Sequence, residues 1–125
     1  MLYNINPVSK PRMTQRDRWA KRDSVLRYFA FRDAFRPVME NLEPLEGIMV
    51  IFVIPMPKSW SEKKKLAMCG EPHKVRPDID NFLKAILDCL SEDKHIYQVV
   101  MEKRWGYTGS IDINSIQTTN TWIPK

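Results

Sequence analysis

Arg76-Pro77-Asp78-Ile79-Asp80-Asn81-Phe82-Leu83-Lys84-Ala85-Ile86-Leu87-Asp88-Cys89-Leu90 sets its apolar residues along one side of a helix. Ile79, Phe82, Leu83, Ile86, Leu87 and Leu90 recur at i, i+3, i+4, i+7, i+8 and i+11, which predicts an amphipathic helix from Asp80 to about Leu90 lying on a core. Asp80, Lys84 and Asp88 are four apart and share the opposite edge. Asp78 stands just before the helix, after Pro77.

On either side of this helix the pattern changes to strands. Residues 48–56 are a dense β-branched and apolar run, which predicts a buried central strand ending at Pro55 or Pro57. Residues 95–105 read as a second strand. Gly106, Tyr107, Thr108 and Gly109 turn the chain, and residues 110–116 alternate as a last strand. Upstream, residues 2–14 suggest a short irregular strand interrupted by Pro7 and Pro11. A long helix is expected from about Gln15 toward Asn41, carrying Trp19, Leu26, Phe29, Phe35, Val38 and Met39, with Pro37 kinking or restarting it. Residues 43–47 read as a turn, and 58–75, with no clear period, as a long loop of the functional or mobile kind. Trp60 in that loop reads foremost as an anchor to the body, with stacking on a base or sugar as the alternative. The order β-α-β-α-β-β implies an α+β fold, a small mixed sheet of three or four strands packed by two helices.

The chain has 125 residues, which fits one domain over 1–125. Its 43% hydrophobic and 28% charged residues are ordinary for a folded soluble protein. No run reaches the length of a membrane span and no secretory leader is evident, so a cytoplasmic protein is expected. The two cysteines, Cys69 and Cys89, predict no structural disulfide, and Cys89 reads as a small apolar side chain beside the core. Cys69, His73, Cys89 and His95 are conceivable zinc ligands, but their spacings match no common finger.

Asp78, Asp80 and Asp93 form a second pattern over the first. One acid at a helix start is adequately explained as a cap. Asp-x-Asp-Asn with Lys84 a turn later exceeds that need, because one cap uses one carboxylate. Mg²⁺ and Mn²⁺ take oxygen ligands, Mg²⁺ commonly one or two carboxylates with water and phosphate oxygens completing the shell. Asp93, just past the helix, is the candidate third acid, with Glu92 beside it as the alternative. Lys84 also has a plainer reading, as an i, i+4 partner of Asp80 or Asp88. The net charge is +5, and the cations are clustered. Lys10, Arg12 and Arg16 lie in a basic first segment. Lys63, Lys64 and Lys65 form a second group, and Lys74 and Arg76 directly precede the acids. Cations around an acidic centre suit a metal nuclease, in which they bind backbone phosphates. The plainer reading of the lysine run is a solvated loop.

The stretch from Arg76 to Ala85, with Asp88 in the same helix and Asp93-Lys94-His95-Ile96 beyond it, resembles the RusA-type Holliday junction resolvases, which are common in phages and prophages. Lys10-Pro11-Arg12 and Lys103-Arg104-Trp105 before a glycine turn, and the order of elements over nearly the whole chain, are similar too. The connection from Leu90 to Asp93 is shorter than the link usual in the family, and His95 stands where Gln is common. The resemblance implies a crossover junction endodeoxyribonuclease, a small homodimer that cuts two strands of a four-way DNA junction symmetrically with Mg²⁺. It implies Asp78, Asp80 and Asp93 as the metal-binding catalytic acids and Lys84 as a catalytic helper at the scissile phosphate. Two other readings stay open: a DNA-binding module without catalysis, and a metal-dependent nuclease acting on forks, flaps or RNA.

Overall fold

The structure, a computed structural model, describes residues 1–12, 14, 22–42, 45–90 and 93–116. Its elements in order are β1 (Leu2–Tyr3), α1 (Asp23–Leu42), β2 (Gly47–Pro55), α2 (Glu62–Met68), α3 (Ile79–Leu87), β3 (Gln98–Gly106) and β4 (Ser110–Ser115). The fold is α+β, with a four-stranded mixed sheet in the order β1-β4-β2-β3. β2 pairs with β3 in parallel from Gly47↔Gln98 to Pro55↔Gly106, and with β4 antiparallel from Ile48↔Ser115 to Val53↔Ser110.

The central strand forms where the β-branched run predicted it. Ile48, Val50 and Phe52 of β2 are buried, as are Ile111 and Ile113 of β4. They meet Tyr28, Phe31, Phe35 and Met39 of α1 and Phe82, Ala85 and Ile86 of α3 in one core. Phe52 and Phe82 stack at 5.3 Å between ring centroids, tying α3 to β2. Cys89, fully buried, extends the α3 stripe as expected, and burial pushes its thiol up to about 11. It is a free cysteine, as is Cys69.

Two expectations are corrected and a third is narrowed. Pro37 does not restart α1, which runs unbroken from Asp23 to Leu42. Pro37 falls on the exposed face, where the carbonyl of Asp33, which loses its helical donor, is not shut into the core. The α1 stripe also differs from the expected one: Val25, Tyr28, Phe31, Phe35 and Met39 are buried, whereas Leu26 is 51% exposed. The expected helical start over 15–21, including Trp19, lies outside the described residues, as do residues 43 and 44 of the expected turn. Finally, the 58–75 segment is not all loop, because it contains α2. The hydroxyl of Ser61 accepts from the Lys64 N–H at 3.2 Å, and Gly70 follows the helix with φ 83°, a backbone that favours glycine. No residue of α2 is buried, so the two packing helices remain α1 and α3.

β4 does not pair with β3, its predecessor, but lies on the other side of β2. The short turn 107–109 therefore carries the chain across the end of β2. A Cβ on Gly106 would overlap the side chain of Val53 there. Gly106→Ala is expected to cost about 1–3 kcal/mol, as overpacking typically does. A urea midpoint shifted down by that amount, with the slope unchanged, is the measurement that checks it.

Candidate active site

α3 starts on Asp78, whose extended backbone (φ −68°, ψ 149°) marks the N-cap position. Its carboxylate makes no capping hydrogen bond, so capping does not account for this acid. Asp80 sits in the first turn, where the helix dipole favours negative charge. Its Oδ2 lies 3.4 Å from Lys84 Nζ, with the two side chains 60% and 58% exposed. Such an exposed i, i+4 pair is worth a few tenths of a kcal/mol, so both groups are available to a ligand at little cost. Asp78, Lys74 and Arg76 are exposed as well.

Asp88 has a different fate. Lys10 Nζ lies 2.8 Å from its Oδ2, and the Tyr28 hydroxyl donates to the same carboxylate. Burial works to raise the Asp88 carboxyl, but hydrogen bonds from Lys10 and Tyr28 and the Lys10 charge outweigh it and hold the group below the usual carboxylate value. Burial, followed by the bond to Asp88, pushes the Tyr28 hydroxyl well above its ordinary value. The main-chain N–H of Lys10 donates to Asn81 O at 2.9 Å, so one residue pins the N-terminal segment along α3. Lys10, expected at DNA, thus has its charge engaged within the fold.

Asp93 is exposed, its carbonyl accepting from the Ile96 N–H at 3.0 Å. Tyr97 N–H bonds Glu46 O, which puts this segment beside the first residues of β2 and β3. Asp78 enters from the other end of β3, and α3 between them is about 13 Å long. Among the described residues no three of His, Cys, Asp or Glu converge as metal ligands, and Glu92 lies outside those residues. Two carboxylates with open solvent around them meet the ordinary demand of Mg²⁺, so Asp78 and Asp80 fit such an ion. The zinc alternative gains nothing: the Cys89 thiol donates to Ala85 O inside the core, and His73 packs tilted against Trp105 at 4.2 Å.

Lys63, Lys64 and Lys65 ride on α2. Lys65 lies 3.7 Å from Glu62, and Lys64 Nζ is 4.2 Å from the centre of the Trp60 ring. Trp60 in turn packs on Trp105 at 4.8 Å, the anchoring role expected of it. Arg12 is exposed, its carbonyl accepting from Arg22; Arg16 lies outside the described residues. The segment between α2 and α3 is stitched antiparallel to the end of β3, by Gly70 N–H to Trp105 O, Trp105 N–H to Glu71 O, and His73 N–H to Lys103 O, each at 2.9–3.0 Å. Sequence reasoning weighed His73 only as a conceivable zinc ligand and gave Lys103 no role at the site. His73 is buried, and burial, reinforced by the Lys103 charge, lowers its pKa. A cleft of about 580 Å³ beside the α3 start is lined by Pro7, Ser9, Arg27, Phe31, Pro77 and Phe82 among others, and by no acid. The acids stand on open surface instead, where a polymer can reach them.

An exposed Asp-x-Asp at a helix start, flanked by exposed cations, is the arrangement the sequence pattern anticipates. The family model for endodeoxyribonuclease RusA matches residues 5–114. The chain belongs to the RusA family. No curated protein and no solved structure matches it. RusA-family proteins are crossover junction endodeoxyribonucleases, Holliday junction resolvases that act on DNA and are generally metal-dependent. Among the described residues no helix is long and apolar enough to cross a membrane.

The Asp88 network has a consequence for acid stability. Its folded pKa is depressed, so its contribution is present above the unfolded carboxylate value near 3.9 and is lost as pH falls through the folded value. Urea midpoints followed from about pH 6 down to about pH 3 are expected to fall less steeply in Asp88→Asn than in the wild type.

Proposed function

We propose that this RusA-family protein is a Mg²⁺-dependent nuclease that resolves four-way DNA junctions by paired, symmetric cuts in recombination and repair. The observation that carries this reading is the pair of exposed carboxylates at the α3 start, uncommitted to capping, between Lys74 and Arg76 on one side and Lys84 on the other. Mg²⁺, or Mn²⁺ in its place, supplies polarisation of the phosphate and a lowered pKa for the attacking water when bound. Asp78 and Asp80 hold the ion. Asp93, with Glu92 as its alternative, is assigned as the third acid on the order of motifs alone; it stands past the far end of α3 and is not placed on the ion held by Asp78 and Asp80. Lys84, released from a weak surface pair, directs its ammonium at the negative charge that develops on the phosphate, where a fixed cation contributes most. Lys74 and Arg76 at the α3 start, Lys63, Lys64 and Lys65 on α2, and Arg12 and Arg16 in the first segment contact backbone phosphates of the junction arms, while Lys10 stays with Asp88. Two symmetric cuts need two such centres, hence a homodimer with isologous contacts.

A labelled immobile junction incubated with Mg²⁺ or with EDTA tests the reading directly. Paired symmetric nicks that require the metal are expected, and binding without cutting in both Mg²⁺ and Mn²⁺ would overturn it. Fork, duplex, flap and RNA substrates at equal salt identify the preferred one. Asp80→Asn is expected to lower cutting by more than about 100-fold, beyond the loss typical of an outer-shell partner, while junction affinity is kept. Asp93→Asn is expected to lose cutting likewise; full activity would leave the two-carboxylate site alone.

The cations give a separate expectation. Replacing Lys74 or Arg76 by Ala should weaken binding evenly across junction sequences and reduce the slope of log affinity against log salt by about 1 each. Filter binding over a salt series reads this without reference to cleavage.

A further inference from the structure

The inward row of β3 reads Val99, Met101, Lys103, Trp105, facing Ile48, Val50, Phe52 and Ile54 across the parallel register. Three of these four residues are apolar and suit a core-facing row; Lys103 is half-buried and carries its ammonium out to an exposed edge. There it finds particular partners. Its ammonium donates to the carbonyl of Val75 at 2.6 Å and to that of Pro77 at 2.7 Å. Its own carbonyl accepts from His73 N–H at 2.9 Å. One residue of the edge strand β3 therefore holds the chain at 73, 75 and 77. The residues between and after these grips are Lys74, Arg76 and Asp78, all with exposed side chains.

We propose that Lys103 is a positioning residue for the nuclease centre: by holding the carbonyls of Val75 and Pro77 it sets where Asp78 enters α3, and so where the Asp78 and Asp80 carboxylates meet the metal. This rests on the reading of those two acids as metal ligands. Bonds from an ammonium to neutral carbonyls are charge-assisted and directional. Two of them on alternate residues fix both position and twist of the segment, which a single bond does not. Lys103 does not touch the ion or the phosphate. It acts through the backbone, as outer-shell partners of metal ligands do.

The test compares wild type, Lys103→Met and Lys103→Arg. Methionine is close in length and suits the inward row, and both carbonyls lie where water can take them, so the fold should survive; thermal melting checks this. Should Lys103→Met not fold, Lys103→Gln, which keeps a donor, takes its place. Mn²⁺ binding is measured by calorimetry, junction affinity in EDTA, and single-turnover cutting over a Mg²⁺ series. Lys103→Met is expected to melt and bind junction like the wild type, but to bind Mn²⁺ about 10–100-fold more weakly. Its Mg²⁺ midpoint for cutting should rise by the same factor, and Lys103→Arg should recover most of both. Wild-type Mn²⁺ affinity and Mg²⁺ midpoint in Lys103→Met would overturn the role of Lys103 and leave the nuclease reading intact. A wild-type chain that neither binds Mn²⁺ nor cuts would overturn both.

Discussion

Parallel pairing of β2 with β3 over nine residues each is the constraint from which the rest of this structure follows. Parallel neighbours cannot be joined by a tight turn, because the chain must travel back the length of the strand before it can pair again. Residues 56–97 make that return, and α3 is its packed limb, held to β2 through Phe82 on Phe52. The acids and Lys84 proposed for the chemistry lie in this crossover, as do the α2 lysines, Lys74 and Arg76; the proposed DNA contacts of the first segment lie outside it. The sheet and α1 supply a rigid floor, and the obligatory return path supplies the surface.

Within α3, spacing alone makes Asp80, Lys84 and Asp88 equivalent, and the tertiary structure separates them. Asp88 is half-buried beside Tyr28 and Lys10, and its ionisation is tied to holding the N-terminal segment. Asp80 is well exposed, and its partner Lys84 is held by an interaction weak enough for a phosphate to displace. One residue type thus serves the fold at one end of a short helix and remains free at the other. The difference comes from burial and neighbours, since the backbone conformation of the two sites is similar.

What the sequence made legible was whatever buries apolar surface periodically. The α3 stripe and the β2 run follow from that, because Phe82, Ile86, Ile48, Val50 and Phe52 are where the apolar area goes. α2 was illegible by the same criterion: it buries nothing, Leu66 is 72% exposed, and only the Ser61 cap and Gly70 mark its ends. Pro37 does not end α1 because it sits on the exposed face, and that face is fixed by packing. The site divides along the same line. Asp78, Asp80 and Lys84 are local, within seven residues of one another, and their neighbourhood could be read directly. Asp93 depends on the path of a turn, and the described residues place it past the far end of α3. Lys103 binds carbonyls 26 and 28 residues earlier, and backbone acceptors carry no mark in a sequence.

The end of β3 is also where the two halves of the proposed surface meet. Trp105 packs on Trp60, which carries Lys64 over its ring, and so places α2. Two residues earlier, Lys103 places the segment leading into Asp78. Both side chains belong to the same inward row of one strand, and that strand is fixed by its bonds to β2. Cations that grip a backbone and acids that act on it are useful together only at a set distance, because a phosphate held an ångström out of line is held unproductively. Two loops with separate anchors would let that distance drift. Anchoring both on alternate residues of a paired strand removes the freedom, which is a physical reason for a lysine to occupy a position that packing alone would give to an apolar residue.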